Sequence, residues 1–204
     1  MAKTTPLVLA AVVTATCATM FPSAAYAQEH QGFWMGAGGG YGSAHPDCDG
    51  CDHAGRESSG VLYLKAGWTL TPRLLVGGEL NVWKKDVRGI APNVDAALRM
   101  SSLSATATVY PWAASRLFFK GGAGLAFVGS EFTIGQTSIA PSLGVGTGLL
   151  TGAGYDVRLT NRISLTPAVS FWFGRIGDLE LDQQTFVADW KQNVIDVTIG
   201  VTLH

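Results

Sequence analysis

Beyond its N-terminal segment this chain has no run of roughly 18 apolar residues, the length a membrane-spanning helix needs. Charge is scarce as well. Charged side chains make up 14% of 204 residues and the formal net charge is −1, which leaves no electrostatic case for binding nucleic acid. There are three cysteines and a single C-x-x-C, Cys48 with Cys51, whereas a structural zinc site usually draws on four ligands. Histidines number four. His30 is near the start of the chain, His45 and His53 share one loop, and His204 is last. None lies within a strand beside a serine, so a base–nucleophile pair could come only from His45 or His53 with loop residues. Glycine is plentiful at 26 residues, and 47% of the chain is apolar. A hydrophobic chain without a spanning helix, rich in glycine and aromatics, points to a membrane β-barrel, with a soluble β-sandwich as the alternative.

The stretch from Gly60 to Lys85 carries the pattern most clearly. Leu62, Leu64, Ala66, Trp68 and Leu70 alternate with Val61, Tyr63, Lys65, Gly67 and Thr69. After Thr71-Pro72-Arg73, Leu74, Val76, Leu80 and Val82 alternate with Leu75, Gly77, Glu79 and Asn81. A period of two is the signature of a β-strand with one apolar face. Each arm suits a tilted membrane strand, and Pro72 presets a tight turn between them. With Pro72 at the midpoint, Lys65 falls opposite Glu79 on the non-apolar face. Hydrocarbon is then outside and charge inside, the reverse of a soluble sandwich.

The first 27 residues read as a cleaved signal peptide. Lys3 supplies positive charge, Pro6 to Phe21 is apolar and small, and Ala25-Tyr26-Ala27 is an A-x-A cleavage site. The mature domain is then 28–204. Cys17 lacks the leucine three residues before it that a lipobox requires. Export implies an oxidising compartment, so the two remaining cysteines read as a local Cys48–Cys51 disulfide, with a metal site as the sharper alternative.

Within the mature domain the alternation predicts strands over Gly32 to Gly42, the two hairpin arms, Leu98 to Tyr110, Leu117 to Gly129, Ser142 to Leu159, Ile163 to Arg175 and Lys191 to His204. Pro167 falls inside the seventh and predicts a bulge or local gap there. Long connections (Ser43 to Ser59, Asp86 to Ala97, Ser130 to Pro141, Ile176 to Trp190) alternate with short turns (Thr71 to Arg73, Pro111 to Arg116, Thr160 to Arg162). Eight strands with connections in that order predict an all-β, antiparallel, up-and-down transmembrane barrel, short turns in the periplasm and long loops outside. Leu62, Leu64, Leu125, Phe171 and Ile199 are expected to face lipid. The six tryptophans are read as an aromatic girdle at the two interfaces.

At this point the chain resembles a known group. The opening GFWMGAGGGYG and the closing VIDVTIGVTLH are similar to the first and last strands of the small eight-stranded outer membrane β-barrel proteins, the outer membrane protein A/X-like superfamily. CDGCDHAGRESSG, LKAGWTLTPRLLVGGELNVWKK, GAGYDVR and SLTP resemble an uncharacterised bacterial subset of it. The usual terminal aromatic is replaced by Leu203 and His204. The resemblance implies a Gram-negative outer membrane location in contact with outer membrane lipid. It also implies that periplasmic chaperones and the barrel-assembly machinery handle the chain during biogenesis.

Lys65, Glu79, Lys120, Asp156, Arg158 and Asp196 all fall on inward phases. An eight-stranded barrel is only wide enough for its own side chains, so these six are expected to form a salt-bridged network that seals the lumen. The expected function is non-enzymatic, a structural or surface-interaction role through extracellular loops, with no cofactor, no metal and no catalytic residue. The alternatives are a narrow small-solute pore and a lipid-modifying barrel enzyme.

Overall fold

The computed structural model describes residues 32–48, 55–91, 94–112, 115–134, 137–181 and 184–204. Nine strands follow one another: β1 (Phe33–Asp47), β2 (Glu57–Thr71), β3 (Leu74–Ala91), β4 (Val94–Val109), β5 (Leu117–Ile134), β6 (Thr137–Tyr155), β7 (Val157–Arg158), β8 (Ile163–Leu181) and β9 (Gln184–Leu203). The two-residue β7 continues β6 past Asp156, so the pair makes one staff of the wall. Every ladder is antiparallel, and β1 pairs with β9 from Met35↔Leu203 to Asp47↔Lys191, closing an eight-staved barrel. Closure leaves no unpaired edge within the bilayer, the condition strands must meet to cross one.

Register fixes the slant. One inward row runs Trp34, Gly67, Gly77, Thr106, Gly122, Leu150, Trp172 and Val194, and returns to β1 at Ala44, ten residues above its start. That stagger is the shear that tilts the strands and sets the barrel's width. The lumen is narrow enough that glycine is required where walls meet side chains. A methyl at Gly38 would lie 2.6 Å from both Gly200 Cα and the Tyr63 ring.

Exposure is inverted relative to a soluble protein. Leu62 (68% exposed), Leu64 (58%), Ile199 (54%), Leu125 (45%) and Phe171 (40%) all point outward, while Glu79, Asn81, Lys120, Asp156 and Asp196 are buried inside. Hydrocarbon is the only solvent that makes this arrangement favourable, so the outer face is a membrane face.

One expectation changes and one is narrowed. The strands run well past the long connections foreseen for them: β3 reaches Ala91, β4 begins at Val94, β5 and β6 meet across 135–136, and β8 and β9 meet across 182–183. Those connections are mostly β-hairpin wall. Above the apolar band neither face meets hydrocarbon, so the period-two signal fades although the hydrogen-bonded ladder continues. The other concerns Pro167. The β6–β8 ladder stops at Gly154↔Ala168 and resumes in the same register at Val157↔Leu165. The result is a gap without a bulge: the Asp156 N–H bonds the Arg116 carbonyl on the β5 side (3.0 Å), one step past the Leu117↔Tyr155 pair, while Pro167, level with Tyr155, keeps its place beside Ile199 on β9.

Candidate functional site

The lumen is layered, and the layers follow from register. On β2 to β5 the inward row Val61, Trp83, Met100, Val128 lies nearest the long-hairpin end. The next row toward the short turns is Tyr63, Asn81, Ser102, Ala126, and the next is Lys65, Glu79, Ser104, Gly124. The first row belongs to an apolar cluster with Ala44, Cys48, Leu150, Trp172, Trp190 and Val194. A second apolar cluster, Trp34, Leu75, Tyr110, Phe118 and Ala168, occupies the short-turn half. Polar and charged groups are therefore held between two apolar layers.

Four of the six tryptophans build those layers. Trp34 (3% exposed), Trp83 (0%), Trp172 (0%) and Trp190 (8%) are inside the barrel. Only Trp68 (57%) and Trp112 (58%) are exposed as girdle residues would be. The girdle reading of all six is therefore corrected. Parity already carried the signal: Trp34, Trp83 and Trp172 share the phase of the inward glycines, serines and threonines.

Glu79 and Lys120 form a buried ion pair at 2.5 Å. Lys65 and Glu79 are Cα partners, as the count through Pro72 requires, but they are not an ion pair. The stem of Lys65 leans toward β1, where a methyl on Gly36 would come within 2.9 Å of its Cε. Its ammonium lies among three rings, Phe118 (5.6 Å), Tyr63 (5.8 Å) and Trp34 (5.9 Å). Register sets which backbones are neighbours; the lean of a long side chain decides which partner it meets. Lys120 takes the carboxylate, and cation–π attraction holds Lys65.

Asp156, in the gap of the β6–β8 ladder and level with Thr166, accepts from Tyr110 Oη (2.5 Å) and Thr166 Oγ1 (2.6 Å), and Thr166 in turn contacts Thr202 (3.0 Å). Asp196 accepts from Trp172 Nε1 at 3.2 Å. Both carboxylates are thus satisfied by neutral donors rather than by cations. Arg158 is not brought into this group of contacts. It donates to the carbonyls of Thr160 (3.1 Å) and Asn161 (3.0 Å) and pins the turn before β8. Tyr63, Tyr110, Phe118 and Thr166 are not among the sequence candidates, because a search for charge passes over uncharged donors and rings of the same phase.

Cys48 is buried at the end of β1. Cys51 and His53 lie outside the described residues, as do 1–31. Beyond the apolar band, Arg175 (3.3 Å) and Lys191 (2.5 Å) both grip Asp189. Hydrogen bonding from Lys191, then the charges of Lys191 and Arg175, hold the Asp189 carboxyl below the usual carboxylate range.

No protein-family model and no curated protein matches the sequence. Solved structures do. Neisserial surface protein A (NspA) aligns over 85% of this chain and 97% of its own, with TM-score 0.55 and 19% identity. Ail, the attachment invasion locus protein of Yersinia pestis, solved with the heparin analogue sucrose octasulfate, aligns over 84% of this chain and 99% of its own, with TM-score 0.56 and 14% identity. The fold is that of the small eight-stranded outer membrane β-barrels. At these identities the likeness to NspA and Ail extends to the fold alone.

Proposed function

We propose that this outer membrane barrel is non-enzymatic, that its lumen is sealed, and that its role is structural or one of surface interaction through the extended hairpins, which face outside. The observation that carries this reading is the pair of apolar clusters, one built on Trp83, Met100 and Trp172 and the other on Trp34, Tyr110 and Phe118, lying above and below the buried charges. Water and ions cross apolar constrictions poorly, so a lumen stopped twice leaves the outer surface as the working part. The bound charges support it: Glu79 is tied to Lys120, Asp156 and Asp196 are held by neutral donors, and Lys65 lies among the rings of Trp34, Tyr63 and Phe118.

The test is single-channel recording in planar bilayers. A sealed barrel gives no steady current. A reproducible ohmic current overturns the reading and favours a narrow pore through the polar layer. Mass spectrometry of lipid A from cells with and without the protein examines the lipid-modifying alternative.

Two further proposals accompany this one. Residues 1–27 are an export signal, leaving Gln28 as the mature N-terminus, and Cys48 is disulfide-bonded to Cys51, fastening the first surface connection. Edman sequencing and thiol alkylation without reductant check them. Periplasmic chaperones and the barrel-assembly machinery are the partners such an exported strand-rich chain needs, since its unpaired edges aggregate in water.

A further inference from the structure

The outward face is not uniform. On β1 to β3, Ala37, Ala66 and Gly78 lie together in a groove of about 550 Å³. Its lining is almost wholly apolar, and its size falls within the roughly 300–1,000 Å³ of small-ligand sites. Register draws its outline. Ala66 pairs with Gly78, and the outward row above them carries Leu64, Leu80 and Leu103. On the short-turn side the next outward pair is Phe33 and Trp68, whose tilted rings lie 6.4 Å apart and are more than half exposed.

The wall itself does not require so small a residue at 78. Gly38 is held to glycine by the Gly200 backbone and the Tyr63 ring, both 2.6 Å from any added methyl. A methyl on Gly78 would meet nothing nearer than the Ser104 carbonyl at 3.9 Å, and the residue is not left-handed. Glycine inside a strand weakens it, and where the fold has no use for one it marks close approach by something outside.

The setting selects the occupant. The groove is continuous with a face that only hydrocarbon suits, so a hydrocarbon chain fills it. A second barrel fits poorly, since two convex walls meet along their projecting leucines and leave a groove floor empty. The charge beneath makes the chain part of a phospholipid. Arg73, in the turn between β2 and β3, is exposed, and among the described residues no carboxylate is paired with it. It stands five positions before Gly78, about 16 Å away at roughly 3.3 Å per residue, which an acyl chain spans from its headgroup. A guanidinium matches a phosphate with two parallel N–H bonds, and Trp68, on the way, suits the headgroup boundary.

We infer that the groove over Ala37, Ala66 and Gly78 seats one acyl chain of a periplasmic-leaflet phospholipid whose phosphate is held by Arg73. The inference rests on the reading above only in that the extended hairpins face outside, which puts Arg73 at the periplasmic leaflet. The lipid is then a fixed component of the barrel, not one of the shell that exchanges freely around it.

The experiment is native mass spectrometry of the barrel extracted in mild detergent, with any retained lipid identified by fragmentation. The parent should keep a single glycerophospholipid through delipidating washes. Gly78→Val, which fills the floor and favours a strand, should lose it severalfold. Arg73→Gln, which leaves the groove untouched, should also weaken retention. Gly121→Val, at an outward glycine beyond the groove whose added methyl meets nothing nearer than 4.0 Å, should retain it. Circular dichroism shows which variants fold, and if Gly78→Val does not, Arg73→Gln decides. A parent without lipid, or equal retention in parent and variants, overturns the inference and leaves the outward-facing hairpins standing. So does a dimer in place of lipid that Gly78→Val dissociates, which gives the groove to a second copy. Retention of a lipid A glycolipid instead overturns both the inference and that orientation.

Discussion

The residue-scale result with most consequence is that register partners need not be energetic partners. Lys65 and Glu79 share a hairpin position, yet Glu79 is paired with Lys120 from a different staff. The ion pair is buried, with side-chain exposures of 8% and 2%, so removing one member leaves a charge in a low-dielectric site. Glu79→Gln should destabilise the barrel by about 3–5 kcal/mol, and the double substitution with Lys120→Met by less, because no orphan charge remains. Denaturant unfolding of the four variants of a cycle should give a Glu79–Lys120 coupling well above the ~0.5 kcal/mol at which independent sites add. The same cycle on Lys65→Met and Glu79→Gln should give a smaller coupling, since rings and not the carboxylate surround the Lys65 ammonium. Equal couplings in the two cycles would falsify this assignment of partners. At the rim, Asp189 offers a titration. Its carboxyl is held low by the Lys191 hydrogen bond and by the Lys191 and Arg175 charges, so the bond is fully formed above the unfolded value of ~3.9 and is lost as pH falls through the lower folded value. Carboxyl NMR of Lys191→Met should show the Asp189 midpoint moving up toward the ordinary range.

At the scale of elements, the outward rows and the irregular places answer to different rules. Ile199 stands in the outward row of β9 between Pro167 and Gly39. Ile199→Arg should cost about 2–4 kcal/mol if that position is near the membrane midplane, measured by refolding into lipid vesicles. A cost near zero would mean that the residue meets water. The β8–β9 hairpin holds the other irregularity. Gly177 takes φ 84 and Asp189 φ 48, with register shifts between Arg175 and Glu180, and the Asp189 N–H bonds Asp178 Oδ1 at 3.0 Å. A left-handed backbone disfavours a side chain, so Gly177→Ala should lower stability by roughly 1–2 kcal/mol although nothing lies within reach of the added methyl. This scale also shows what the sequence could disclose. Strand count, order, facing and the gap at Pro167 were legible because hydrocarbon on one side and a packed lumen on the other impose alternation. Strand ends above the band were not, since water on both faces imposes none. The ion-pair partner was not legible either, because alternation says which face Lys65 occupies and nothing about the direction in which its stem leans over Gly36.

For the whole molecule, stability and impermeability come from the same residues. The apolar layers are built from large rings, Trp83 and Trp172 in one and Trp34 and Phe118 in the other. Truncating Trp83 or Trp172 to alanine should cost about 3–5 kcal/mol, because a narrow barrel cannot collapse into the space left behind. Neither variant should pass steady current in a planar bilayer, since the second layer remains. Joining Trp172→Ala to Trp34→Ala should be the first combination to leak, if it folds. Leakage from the Trp172→Ala variant alone would show that the short-turn layer does not close.

The closure of β1 on β9 has one more consequence. Met35 and Leu203 are Cα partners, and the His204 N–H bonds the Arg162 carbonyl at 2.9 Å, so the first and last staves finish side by side on the short-turn end. The order in which the staves are strung on the chain is then separable from the order in which they stand in the wall. A short polar linker joining Leu203 to Phe33 would make the covalent chain a loop, and that loop could be cut at another short turn, such as the one following Arg158, without breaking a ladder. The barrel would keep its neighbours, its slant and both apolar layers while beginning at a different strand. Its architecture is circular, and only its synthesis is linear.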